Sequence, residues 1–120
     1  MKSHTDLIVW QKSIDLVETV YQVTGKFPTE EKFGLISQIR RCAVSIPSNI
    51  AEGHGRKSDG EFCQFLRIAY GSSSELETQI ILSKRLSFIR DSEHENIMSK
   101  LTEIHKMLNT LISKSLKAKS

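Results

Sequence analysis

At 120 residues, 38% of them hydrophobic and 26% charged, the chain is long enough for one buried core and too short for two. Its net charge of +3 permits contact with nucleic acid without demanding it. No apolar run approaches the roughly 18 residues of a membrane helix, and the opening MKSHTDLIVWQKS lacks the apolar core and cleavage site of a secretory signal, so a cytoplasmic address is expected.

The first segment, from about Asp6 to Thr24, repeats Leu7, Trp10, Ile14, Val17 and Tyr21 at alternating steps of three and four, the stripe of an amphipathic helix. Asp6 is the expected N-cap, and Gly25 with Phe27-Pro28 the stop. In the connection GKFPTEEKFG, Phe27 and Phe33 are expected to tuck against the end of a bundle. The second segment keeps the same spacing through Ile36, Ile39, Ala43, Ile46 and Ile50, straight across Pro47. An unbroken register argues for one helix kinked at the proline rather than two helices parted at Ser45-Ile46. An interior proline costs about 3 kcal/mol, so the surrounding packing must compensate. Gly53, with Gly55 in reserve, is expected to supply a left-handed residue at the end of this helix.

Ser58 and Glu61 form a capping-box pattern before the third segment, whose stripe is Phe62, Leu66, Ala69, Ser73, Leu76 and Ile80. Its centre, YGSSSE, is small-sided: Gly71 and Ser72 to Ser74 cost helix propensity, which predicts close approach to a neighbour, opposite Arg40 to Ala43. The fourth segment has Asp91 or Ser92 as cap and Ile97, Leu101, Ile104, Leu108 and Leu111 as stripe, before a basic tail, SKSLKAKS, expected to fray. Helices at about 6–24, 31–53, 59–86 and 92–116 with short connections predict a single-domain, all-α, antiparallel up-down-up-down four-helix bundle with a Pro-kinked second helix.

Few residues suggest chemistry. Cys42 and Cys63 read as buried thiols, and the four histidines form no metal-ligand pair, so no metal or cofactor is expected. Beside the apolar stripes run short polar side chains: Gln38, Ser45, Asn49 and Glu52 on the second segment, Ser72, Glu75 and Gln79 on the third. Groups of this kind must be hydrogen-bonded in a confined place. Three readings stand: a structural network that Arg40 or Arg41 completes by reaching Glu52 or Glu75, a subunit interface, or a catalytic pair made of those two glutamates. Positive charge gathers at Arg40-Arg41 and at Arg56-Lys57. GHGRKS is no Walker motif, but Arg56, Lys57 and the free amides of the next helix could hold a phosphate; otherwise the stretch is a C-cap followed by an N-cap.

VWQKSIDLV, KFGLISQIRR, SIPSNIAEGHGR and EFCQFLRIAYGSSSELETQI together resemble the four-helix bundle family named after the 23S rRNA intervening-sequence protein, over nearly the whole chain. The resemblance implies a ring-like homopentamer, bacterial and without catalytic residues. It also relates the chain to the accessory variability proteins of diversity-generating retroelements, which bind nucleic acid and a reverse transcriptase through basic surfaces. The matching basic positions here are Arg40, Arg41, Arg56 and, further along, Arg67. Cys42 stands where alanine is common, and Ser87 where glycine often precedes the aromatic. The expected function is thus a non-enzymatic oligomer that contacts RNA or DNA phosphates without base specificity. The alternative is a protein-interaction scaffold whose polar and arginine residues serve its own homo-oligomer interface. Few exposed aromatics are evident for stacking on bases, so sequence-specific reading of single strands is not expected.

Overall fold

The structure is a computed structural model that describes residues 3–119, with side chains as far as Leu116. Four helices make up the described residues: α1 (Ile8–Thr24), α2 (Leu35–His54), α3 (Asp59–Arg85) and α4 (Asp91–Lys119), with short 3-10 turns at His4–Asp6 and Thr29–Glu31. α4 is helical beyond the expected end, while the side chains of the basic tail after Leu116 lie outside the described residues.

Pairings between helices fix the topology. Arg40 reaches Thr24, Ser45 meets Ser72, Tyr70 packs on His105, and Lys12 pairs with Glu103 while Lys26 pairs with Glu93. Each register runs antiparallel, and α1 also touches α4, so the four helices close into an up-down-up-down bundle 47 Å long. Leu16 and Val20, Ile39, Ala43, Ile46 and Ile50, Leu66, Leu76 and Ile80, and Ile97, Leu101, Ile104 and Leu108 lose all exposure in its centre.

The sequence stripe was correct for α2, α3 and most of α4, but not for α1. The deepest face of α1 is Val9, Ser13, Leu16, Val20 and Val23, whereas Trp10, Ile14 and Val17 are half-buried and Tyr21 is exposed. Both faces of this helix are apolar, and Ser13 hid the true one: its buried hydroxyl donates to the Trp10 carbonyl at 2.8 Å, so a serine occupies a core position at little cost.

α2 passes through Pro47 as one helix, with Pro47 buried. Asn49 Nδ2 donates to the Ser45 carbonyl at 2.8 Å and to Ser45 Oγ at 2.9 Å, side-chain bonds that brace the turn holding the proline. Gly53 does not end α2 in a left-handed conformation. It lies inside the helix, where a Cβ would sit 2.6 Å from Phe65 Cβ and 3.0 Å from Phe62 Cδ1; Gly55, at φ −78°, follows the last helical residue. Close approach of α3, rather than a turn, requires glycine at 53. Gly71 is the converse, because a Cβ there would meet nothing within 4 Å. The left-handed residue is Ser87, at φ 65°, just after α3.

Ser58 caps α3 as expected, its Oγ accepting from Glu61 N at 3.1 Å, while Glu61 Oε1 closes the box on the Ser58 hydroxyl, at 3.2 Å, instead of on the backbone amide. The other expected caps are displaced. Asp6 belongs to the first 3-10 turn, which Ser3 caps, and Leu7 precedes α1 without a side-chain cap. At α4, Asp91 and Ser92 are already helical, and Glu93 Oε1 accepts from Arg90 N at 3.0 Å.

Candidate nucleic-acid interface

The C-terminal turn of α1 and the first half of α2 border a groove lined by Tyr21, Lys32, Phe33, Arg40 and Arg41, with no carboxylate in its wall. Lys32, Arg40 and Arg41 take part in no ion pair among the described residues. The cations nearest this end of the bundle are accounted for elsewhere. Glu93 takes Lys26 at 3.0 Å and Arg90 at 3.5 Å, and Asp91 takes Lys84 at 3.7 Å. The Arg90 amide, the Lys26 ammonium and the Arg90 guanidinium hold the Glu93 carboxyl down to about 2.

Arg40 and Arg41 are adjacent but not equivalent. Arg40 Nε donates to Thr24 Oγ1 at 2.9 Å and its Nη2 to the Tyr21 carbonyl at 3.3 Å, while its guanidinium lies 4.4 Å from the Tyr21 ring centroid. The last turn of α1 contains no basic residue of its own, so Arg40 supplies from α2 the cation that its exposed carbonyls favour. Arg41 is exposed and lines both this groove and the polar pocket between α2 and α3. Neither arginine reaches Glu52, and no ion pair joins Arg41 to Glu75.

The second basic cluster has a different character. Arg56 Nη2 pairs with Glu52 Oε2 at 3.1 Å, and its guanidinium sits 5.0 Å from the Phe65 ring centroid. Lys57 is exposed, but the amides that would have joined it in holding a phosphate open a helix whose first turn carries Asp59 and Glu61. One of those amides, Glu61 N, is already satisfied by Ser58. Fifteen residues separate Arg41 from Arg56, about 22 Å along a helix, so the two clusters form no single patch. Arg67 is exposed on α3 and turned about 140° from Ser72.

Between α2 and α3 the polar stripe is assembled in part. Ser45 Oγ and Ser72 Oγ are 2.9 Å apart, one helical turn along from the expected Arg40–Ala43 level, and Asn49 bonds to Ser45. Gln38, Arg41, Cys42, Ser45, Ser72 and Glu75 line the adjoining pocket. Burial first, then the Glu75 carboxylate beside it, push the Cys42 thiol up to about 11, so it stays protonated. Gln79 is buried with its Oε1 unpartnered. The carboxylate pair of the third, catalytic reading is not formed: Glu75 lies level with Cys42, whereas Glu52 pairs with Arg56 near the other end of α2.

Lys32, Tyr21 and Phe33 were missed as site residues. Phe27 is buried as expected, its ring 5.4 Å from that of Phe88, but Phe33 is 90% exposed and Tyr21 42%. The two phenylalanines look alike in sequence, but Phe33 falls in the short turn between the second 3-10 segment and α2, where the chain faces outward. Each ring directly follows a lysine, Lys26 or Lys32, so no local signal in the sequence separated them.

The chain matches the 23S rRNA-intervening sequence protein family over residues 5–110. It is also similar, at 30% identity and a TM-score of 0.82, to a crystal structure of a protein with unknown function from the S23 ribosomal protein family of Bacteroides thetaiotaomicron. That alignment covers 88% of this chain and 96% of the other. A search of curated proteins found no match. With the bundle, the helix register and the match agreeing over most of its length, the chain belongs to the 23S rRNA-intervening sequence protein family.

Proposed function

We propose that this bundle is a non-enzymatic nucleic-acid-binding protein that contacts phosphates through the groove between α1 and α2. One observation carries the reading: three cations, Lys32, Arg40 and Arg41, line one groove in which no carboxylate opposes them. Phosphates would fill that role, with Arg41 as the principal contact because Arg40 already serves α1. Arg56, paired with Glu52, lies outside the groove, as do Lys57 and Arg67. The family name refers to an intervening sequence of 23S rRNA, which makes RNA the first ligand to test.

Fluorescence anisotropy of labelled RNA and matched DNA at about 50 and 200 mM salt tests the proposal. Three phosphate contacts on a single strand give a slope of about −2 in log affinity against log salt, about a 20-fold loss over that range. Absence of binding to both probes at micromolar protein would overturn it.

A second reading, self-association, draws on a different observation. Ile68, Leu82 and Leu86 are exposed large apolar side chains on α3, and helical geometry keeps them within about 40° of one face. Light scattering gives the subunit number directly, and Leu82→Glu is expected to lower the mass of an assembly that uses this face. A monomeric wild-type mass would sink this second reading.

A further inference from the structure

We infer that the groove takes a single-stranded segment of nucleic acid, with a base stacked on the Phe33 ring while Lys32 and Arg41 hold the phosphates beside it. The inference rests on the nucleic-acid reading above and adds the class of strand. Phe33 is 90% exposed on the ridge between the acid-free groove and the pocket that holds Glu75, and Lys32 Nζ lies 5.5 Å from its ring centroid. Across the groove stands Tyr21, with the Arg40 guanidinium 4.4 Å from its ring centroid. An aromatic ring among cations suits a ligand that carries negative charge and flat apolar faces together. Single-stranded nucleic acid has both, whereas a duplex turns its base faces inward.

Charge selects this occupant over a second copy docked two-fold, groove to groove, which would bring Lys32, Arg40 and Arg41 against the same three cations with no acid in the wall to offset them. A contact within a closed ring of subunits would set the groove against a different face, and the subunit number of Phe33→Leu tests that case. Nor does local folding require the exposed ring. Glu31 Oε1 accepts from Leu35 N at 3.4 Å and the Gly34 amide bonds the Glu31 carbonyl, so the start of α2 is tied down without Phe33.

The test is anisotropy with a labelled RNA of about 15 nucleotides, single-stranded and as its duplex, for wild type, Phe33→Leu, Phe33→Tyr and Arg41→Gln. Phe33→Leu keeps an apolar side chain and removes the aromatic face. The expected result is a loss of about fivefold or more for the single strand, duplex binding unchanged, and near wild-type binding by Phe33→Tyr. Wild-type single-strand affinity in Phe33→Leu would overturn the inference, and a loss in Arg41→Gln would then show that the phosphate reading survives it. Equal losses on single strand and duplex in Phe33→Leu, or a changed subunit number, would also overturn it and place Phe33 in an interface. No binding by wild type would overturn both readings.

Discussion

Arg40-Arg41 and Arg56-Lys57 are alike on paper, two adjacent cations on or just after α2, yet the fold gives them different surroundings. At the first, Arg41 is exposed in a groove without acids, and Arg40 is fastened across it to the end of α1. At the second, Arg56, just past the end of α2, pairs with Glu52 four residues back, and Asp59 and Glu61 open the helix that follows. The difference teaches that a cluster of cations in sequence becomes a binding surface only where the fold leaves the acids out. Packing is tight beside the second cluster, where α3 crowds Gly53 so that a Cβ there would sit 2.6 Å from Phe65 Cβ.

The largest effect is expected from closing that contact further. Gly53→Ala places a Cβ 2.6 Å from Phe65 Cβ and should cost about 2–3 kcal/mol in urea denaturation. Gly71→Ala, facing open space, should instead gain about 1 kcal/mol; equal effects at both glycines would break the contrast in packing. Arg40→Ala removes two charged hydrogen bonds and the contact with Tyr21, for an expected loss of about 2 kcal/mol. Arg41→Ala should leave stability within about 0.5 kcal/mol, and a stability loss as large as that of Arg40→Ala would show that Arg41 too is a structural residue. In salt-dependent binding, Arg41→Gln should weaken nucleic-acid affinity about fivefold and lower the salt slope by about 0.7. Arg56→Gln should change neither, and its exposed pair contributes at most about 1 kcal/mol to stability; a slope reduced by Arg56→Gln would put the second cluster in contact with the ligand after all.

The same end of the bundle sets an acid dependence. Glu93 is held down to about 2, below the ordinary value of 4.5 that it resumes on unfolding. Its stabilisation is therefore complete above about pH 5 and lost as pH falls towards 2. Glu93→Gln should flatten that part of a stability profile followed by circular dichroism between about pH 5 and 2. A slope unchanged in the variant would assign the acid sensitivity to other carboxylates.

Much of this was legible because three-four spacing and local capping are properties of neighbouring residues. The α2 stripe through Pro47, the Ser58–Glu61 box and the α4 core could be read directly. The departure of Ser87 from the glycine common in the family pattern was also visible, though its meaning was not. A serine held at φ 65° carries strain that glycine would relieve. Ser87→Gly should add about 1 kcal/mol of stability, measured by thermal denaturation. The α1 face was misread because both of its sides are apolar and a buried serine interrupts the deeper one. In the site, Arg40 and Arg41 were recognised as charged, but their separation into a structural and an exposed residue depends on where α1 ends beside them.

The sequence by itself therefore determined the number of helices, their approximate limits and their antiparallel order, which follow from periodicity, caps and short connections along the chain, and it pointed to the family through the resemblance of its motifs. Only the tertiary structure decided which cations face acids, which phenylalanine is buried, and why position 53 must be glycine. Apart from the local pair of Arg56 with Glu52, those properties exist only once residues from different helices and turns have been brought side by side.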